Sequence, residues 1–254
     1  MSTTRLRFSV LLAALVGLLL VYPLVADASG GAGLGVSMSL VVLGVVRAIP
    51  RENIRDQATA LVLAAAHLVP VWAWTSGAPA PFLHVGLAAA VLFYGHAAVA
   101  VLLHLAPAQR VTSEELAGAA SVYLLLGVAW AVAYAFIDIL QPGAFAFPPL
   151  SDGVETRTGP APHHIADYLY VSLVTLTTLG FGDVLPTTRA ARSLVVAEAV
   201  TGVFYTTVVL ARLVSVFAAT SGADAWSTRG DTEQERGHGS PDRSGSAPRG
   251  TSTA

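Results

Sequence analysis

The sequence predicts an all-α membrane protein, with six transmembrane helices and one re-entrant segment between the fifth and the sixth. Three observations predict it. Of 254 residues, 54% are hydrophobic and only 12% charged, with a mean hydropathy of +0.64, which is too apolar for a soluble domain. Nearly uncharged runs recur at 8–26, 33–49, 57–75, 82–105, 116–140 and 193–211, each close to the roughly 20 residues that a bilayer core requires. A seventh apolar stretch, 165–179, opens on His163, His164 and Asp167 and ends in glycines. It is too short and too polar at its start to cross, and reads as re-entrant.

Composition also excludes several classes of function. All 14 basic residues are arginine, against 16 acidic residues, so the net charge is only -2 and nucleic-acid binding gains no support. Without cysteine there is no disulfide, thiolate nucleophile, iron–sulfur cluster or Cys-ligated zinc. Any metal site must use histidine, carboxylate or backbone oxygen.

Arginine placement orients the spans. Arg5, Arg7, Arg47, Arg51, Arg55, Arg110, Arg212 and the four arginines of the C-terminal tail fall on one side, against Arg157, Arg189 and Arg192 on the other. The positive-inside rule makes the first side cytoplasmic, so both termini are expected inside the cell (plasma) membrane. Arg5 and Arg7 before an apolar run, then Ala26-Asp27-Ala28-Ser29, also mimic a secretory signal. The 19 residues from Phe8 to Ala26 exceed the usual apolar core of about 7 to 15, and the segment is read as a span. Gly33, Gly35, Ser37 and Ser39 dilute the second span, yet without it Arg47 to Arg55 would lie on the wrong side. Thr112-Ser113-Glu114-Glu115 offers a capping box at the start of the fifth span. Residues 141–162 form an outer loop rich in Pro, Gly and Phe, long enough for a turret. After Thr220 the composition turns to Gly, Ser, Thr, Asp and Arg, which cannot bury a core and is expected to be disordered. The chain thus divides into a four-helix region (1–110), a unit of outer helix, loop, short helix and last span (111–219), and a tail (220–254).

Between the last two spans stands Thr175-Leu176-Thr177-Thr178-Leu179-Gly180-Phe181-Gly182-Asp183. Here the chain resembles the pore-loop potassium channels, whose signature is a threonine-rich pore helix running into T-x-G-Y/F-G-D. The resemblance covers about 113–218. It implies a ring of oxygens that replaces the hydration shell of K+, supplied by the Thr178 hydroxyl and the carbonyls of Thr178, Leu179, Gly180 and Phe181. Gly180 and Gly182 allow the backbone conformations that point carbonyls to one axis, while Leu179 and Phe181 send their side chains outward into packing. One chain supplies a quarter of such a ring, so a homotetramer is implied, with K+ as the permeant ion and no cofactor. A pore helix over 165–177 would aim its negative C-terminal end at a waiting cation. Asp183 would stand at the outer mouth, with Thr177 and Tyr170 supporting the filter.

The chain departs from the commonest family pattern in three places. Tyr170 and Val171 replace two tryptophans of the pore helix, Phe181 replaces the filter tyrosine, and Val174 stands where some bacterial members carry a glutamate paired to the filter aspartate. In place of that acid pair, the Tyr170 hydroxyl is expected to meet Asp183. In the last span Gly202, 22 residues after Gly180, resembles the family's gating hinge, and it equally suits a close-packing glycine. Thr206 is then expected to face the cavity, with Val209 and Leu213 as an inner constriction. The fourth span carries no arginine, so strong voltage gating is not expected. Nor do the 34 residues after Thr220 leave room for a cytoplasmic ligand domain.

Glu198, an intramembrane acid, is a functional candidate by default: it could tie the last helix to the pore helix, titrate as a gate, or make a structural hydrogen bond. Asp138 is expected to snorkel to the interface. His67, His96 and His104 read as packing residues; His163 and His164 either solvate a helix start or sense pH. Three rivals to a potassium channel stand: a nonselective cation channel, a nonconducting membrane partner, and an intramembrane aspartyl protease of the G-x-G-D type. The protease needs a second aspartate to share a proton, and Asp138 is the remote candidate.

Overall fold

In hydrocarbon no water bonds the backbone, so an apolar chain satisfies its N–H and C=O groups within helices. The computed structural model describes residues 7–49, 54–105, 112–147, 165–209, 211, 212 and 215. Its elements are α1 (Arg7–Ala48), α2 (Ile54–Thr75), α3 (Ala80–Leu105), α4 (Ser113–Leu140), β1 (Phe145–Ala146), α5 (Ile165–Leu176), β2 (Leu185–Pro186) and α6 (Arg189–Val209). Among the described residues five segments are long and apolar enough to cross a membrane: Arg7–Leu24, Ile54–Thr75, Pro81–Leu105, Ser113–Leu140 and Arg189–Val209. Gly33–Ala48, within the expected second span, is apolar but shorter. The tail from 220, most of the outer loop, His163, His164 and Leu213 lie outside the described residues.

The two expected N-terminal spans fall within the single helical run α1, 42 residues long, which would extend about 63 Å if straight. It is not straight. A methyl group placed on Gly44 would lie 3.3 Å from Leu11 Cα, whereas 33 residues of straight helix separate their ends by about 50 Å. The start of α1 also meets the start of α4, where Glu114 accepts the Phe8 N–H at 3.1 Å and the Ser9 hydroxyl. The Phe8 ring lies 6.0 Å from that of His104 at the end of α3. Arg7–Leu24 and Gly33–Ala48 therefore run antiparallel, with Pro23 inside the helix, a residue that removes a ladder bond and permits a sharp bend. Glu114 at the same time satisfies a backbone donor that the first turn of α1 leaves open.

Packing uses small residues, as expected where lipid is as apolar as the side chains and close van der Waals fit decides association. Along α4 the buried positions Ala117, Ser121, Leu125, Val128, Val132 and Ala135 recur at helical spacing. Gly118 lets Leu105 and Phe8 approach, and Gly127 sits against Leu173 of α5. α3 packs between α2 and α4, and α4 also meets α1 and α5, so α4 joins the N-terminal helices to the short helix. At its start, the Thr112 N–H donates to the Glu115 carboxylate at 2.8 Å, one arm of the expected capping box. By contrast α6 is covered on one side only. Val196, Val200, Val203, Phe204 and Val208 leave an apolar face open in the single chain.

Candidate functional site

α5 has 12 residues, about 18 Å of helix against a hydrocarbon core of about 30 Å. It cannot cross alone. Its buried face, Ile165, Tyr168, Leu169, Ser172 and Leu176, recurs every three to four residues and seats it on α4. The helix closes with the Thr178 N–H donating to Thr175 O at 2.9 Å and the Leu179 N–H to Val174 O at 2.9 Å. Those two bonds with a left-handed residue at Thr178, φ 58°, make a Schellman cap. Glycine normally takes that place, because a β-branched residue there is strained by about 1–2 kcal/mol. Among the described residues Thr178 is the one non-glycine with positive φ, and such strain clusters at functional sites.

The left-handed conformation then repeats at every second residue: Thr178 at φ 58°, Gly180 at 58° and Gly182 at 74°. In an ordinary extended chain successive peptide groups alternate sides with period two. Inverting every second residue cancels that alternation and lets successive carbonyls line one side, the geometry a desolvated cation requires. Methyl groups built on Gly180 and Gly182 would meet nothing within 4 Å. Backbone conformation, not space, therefore demands glycine at these two positions. In the single chain the side chains of Leu179 and Phe181 are uncovered.

Tyr170 donates its hydroxyl to Asp183 Oδ2 at 2.6 Å, so the structure contains the tyrosine–aspartate contact read from the sequence. The Tyr170 hydroxyl, helped by the backbone N–H groups of Asp183 and Val184, holds the Asp183 carboxyl below the usual carboxylate range. The Thr177 hydroxyl turns back to Leu173 O at 2.7 Å, reinforcing the last turn of α5.

Glu198 is wholly buried. Its two oxygens accept from two elements: the Tyr134 hydroxyl of α4 and the Ser172 hydroxyl of α5. Ser172 lies 2.8 Å from Gly127 O as well. One turn on, Gly202 lies so close to α5 that a methyl group there would fall 2.5 Å from Leu176 O. That same carbonyl accepts the Tyr123 hydroxyl at 3.0 Å. The end of α5 is thus gripped by α4 and α6 together, and Gly202 has a packing reason to be glycine. Thr206 is exposed in the single chain, and its hydroxyl bonds back to Gly202 O at 3.0 Å and Val203 O at 3.1 Å. Val209, in α6, is partly buried.

Asp138 stands in the last turn of α4. It is 9% exposed, and the Tyr168 hydroxyl of α5 reaches its Oδ2 at 2.5 Å, so the carboxylate has a partner on the neighbouring helix. Asp138 and Asp183 are each held by a different tyrosine. His67 faces Gly86 O at 3.1 Å and His96 faces Asp56 O at 3.4 Å, contacts of helix packing. Among the described residues no group of three His, Cys, Asp or Glu is placed to hold a metal.

The sequence reading missed Tyr134, Ser172, Tyr123 and Tyr168. Their only signal was a hydroxyl on an otherwise apolar helix. It missed too a two-residue ladder, where Phe145 pairs with Pro186 and Ala146 with Leu185. There the Thr187 N–H donates to Ala144 O at 2.9 Å and Arg192 Nε to Pro186 O at 3.1 Å. Strands this short carry no periodicity to read.

Residues 122–219 match the family model described as "Ion channel". The matched stretch contains Tyr134, the short helix, the Thr178–Asp183 segment, Glu198 and Gly202, and it supports passive ion conduction by a membrane protein. No curated protein and no solved structure matches the chain.

Proposed function

We propose that this protein is a potassium-selective channel that conducts K+ passively across the cell membrane, without a cofactor and without strong voltage gating. The observation that carries this reading is the left-handed alternation at Thr178, Gly180 and Gly182, set at the end of a helix too short to cross. In this reading α5 is a re-entrant pore helix, and the Thr178 hydroxyl with the carbonyls of Thr178, Leu179, Gly180 and Phe181 forms one quarter of the ion-binding ring. Asp183 stands at the outer mouth, where four copies concentrate cations by a field that salt weakens. The remaining chain crosses six times, the antiparallel segments of α1 counting as the first two, and both termini are cytoplasmic.

A homotetramer follows from the same geometry. Leu179 is 56% and Phe181 64% exposed in one chain, and α6 too has an uncovered face. Side chains that must be held still to fix a ring find their cover on the neighbouring copies. Thr206, on the exposed part of α6, lines the cavity in that assembly.

Reversal potentials of the purified chain in planar bilayers, under opposed potassium and sodium, test the proposal, with Gly180→Ala as control. The expected result is reversal near the potassium equilibrium value and loss of current in the variant. Reversal near zero would instead favour a nonselective cation channel, the second reading, which rests on the single hydroxyl contact that Tyr170 provides behind the filter. Proteolysis that required both Asp138 and Asp183 would point to the intramembrane protease.

A further inference from the structure

Glu198, Ser172 and Gly127 form a row across three helices, α6, α5 and α4. Ser172 Oγ lies 2.5 Å from Glu198 Oε1 and 2.8 Å from Gly127 O, and the Tyr134 hydroxyl reaches the other carboxyl oxygen, Oε2. Three contacts between oxygens need three protons. A main-chain carbonyl only accepts, and each hydroxyl carries one proton, so with Glu198 as a carboxylate two protons serve three contacts. If Ser172 gives its proton to Glu198, its lone pairs are left against Gly127 O; if it gives the proton to Gly127 O, they are left against Oε1. A proton on Glu198 completes the row: Oε1–H donates to Ser172 Oγ, Ser172 to Gly127 O, and Tyr134 to Oε2.

The surroundings favour the same form. Glu198 is wholly buried within the single chain. The groups that face it are hydroxyls: Tyr134 from α4, Ser172 from α5 and, through space, Tyr123 of α4, whose own bond goes to Leu176 O. On α6 itself the charged residue nearest in sequence is Arg192, whose Nε donates to Pro186 O. Among the described residues no cation acts on the Glu198 carboxyl, and an ionised carboxylate buried without a cation is costly.

We propose that Glu198 is a proton-binding site and that its proton latches α5 to both α4 and α6. With the proton in place the row runs unbroken through the three helices. Release of the proton to water as pH rises leaves Ser172 to bond one neighbour or the other, and one link opens. One turn further along α6, Gly202 presses on Leu176 O, so the latch sets how firmly the end of α5, which leads into Thr178, is held. The proton site stands whether or not the chain conducts; only its effect on current rests on the channel reading.

The test is infrared spectroscopy of the full chain in lipid bilayers, taken as the difference from Glu198→Gln, whose amide can donate to Ser172 and accept from Tyr134 without titrating. The expected result at neutral pH is the carbonyl band of a protonated carboxyl, absent from that variant, shifted in Ser172→Ala, and replaced by carboxylate bands as pH rises. Where Glu198→Gln does not fold, ¹³C-labelling of glutamate, which moves glutamate bands and leaves those of aspartate in place, identifies the band instead. Carboxylate bands at neutral pH that vanish in Glu198→Gln, a protonated band that the variant keeps, or one unmoved by Ser172→Ala would overturn the proton site. A protonated band that persists at every pH the folded chain survives would overturn the latch. In bilayer recordings the current should change with the loss of the band and stay constant in Glu198→Gln; equal pH responses would overturn the coupling to current. Absence of current at every pH, with the bands as expected, would count against the channel reading and leave the proton site standing.

Discussion

Gly202 and Leu176 touch through backbone: a methyl group on Gly202 Cα would sit 2.5 Å from the Leu176 carbonyl oxygen. Real β-carbons do not approach an oxygen so closely, and the atom in the way is main chain, which cannot swing aside. Gly202→Ala should therefore lower thermal stability in detergent, by about 1–3 kcal/mol for overpacking. Gly95→Ala on α3, where the added group meets nothing within 4 Å, should be neutral or stabilising, since alanine is the better helix former by about 1 kcal/mol. A Gly202→Ala melting curve equal to that of the unaltered chain, with altered gating alone, would favour a hinge.

Glu198 ties three helices together. Replacing it by leucine leaves the Tyr134 hydroxyl without its acceptor, at about 1–3 kcal/mol for a group left unsatisfied, while the Ser172 hydroxyl keeps Gly127 O. Glu198→Gln keeps the shape and one acceptor oxygen and should cost less. Denaturation of both variants checks the order. If leucine were the better tolerated, the carboxylate would not be the tie.

Tyr170→Phe removes the hydroxyl that holds Asp183. The Asp183 carboxyl lies below its ordinary 3.8 chiefly because of that donor, so its contribution is present at neutral pH and persists as pH falls to the ordinary carboxylate range of about 4. Below that range the contribution is lost progressively, and it is gone once pH has passed the lowered value of the folded chain. In Tyr170→Phe the titration of Asp183, followed by carboxyl ¹³C resonance, should move up toward the ordinary range. Inactivation or ion selectivity should change with it; unchanged conduction would remove Tyr170 from the support of the filter.

Gly180→Ala tests the left-handed backbone itself. A left-handed conformation costs a non-glycine residue about 1–2 kcal/mol, and the methyl group meets no neighbour in the chain. Folding and helix content should survive while conduction is lost. Near-normal current in a folded Gly180→Ala would show that alternation at this residue is not what shapes the path.

The membrane class, the run of apolar helices, the start of α4 and the Thr178–Asp183 segment were legible in the sequence, because each rests on local chemistry. Hydropathy sets which residues leave water, Thr112 with Glu115 marks a helix start, and glycine at 180 and 182 announces backbone that other residues avoid. Even the Tyr170–Asp183 bond was within reach, since a 12-residue helix and a short reversal bring positions 170 and 183 back together. What the sequence could not decide depends on which helix faces which. Hydropathy treats every apolar face alike, so the meeting of Glu198 with Tyr134 and Ser172, the burial of Asp138 against Tyr168, and the tight approach of Gly202 to Leu176 exist only once α4, α5 and α6 have packed. The uncovered α6 face carries the same reasoning one level up: the face is written in valines, but what covers it lies beyond the fold of the single chain.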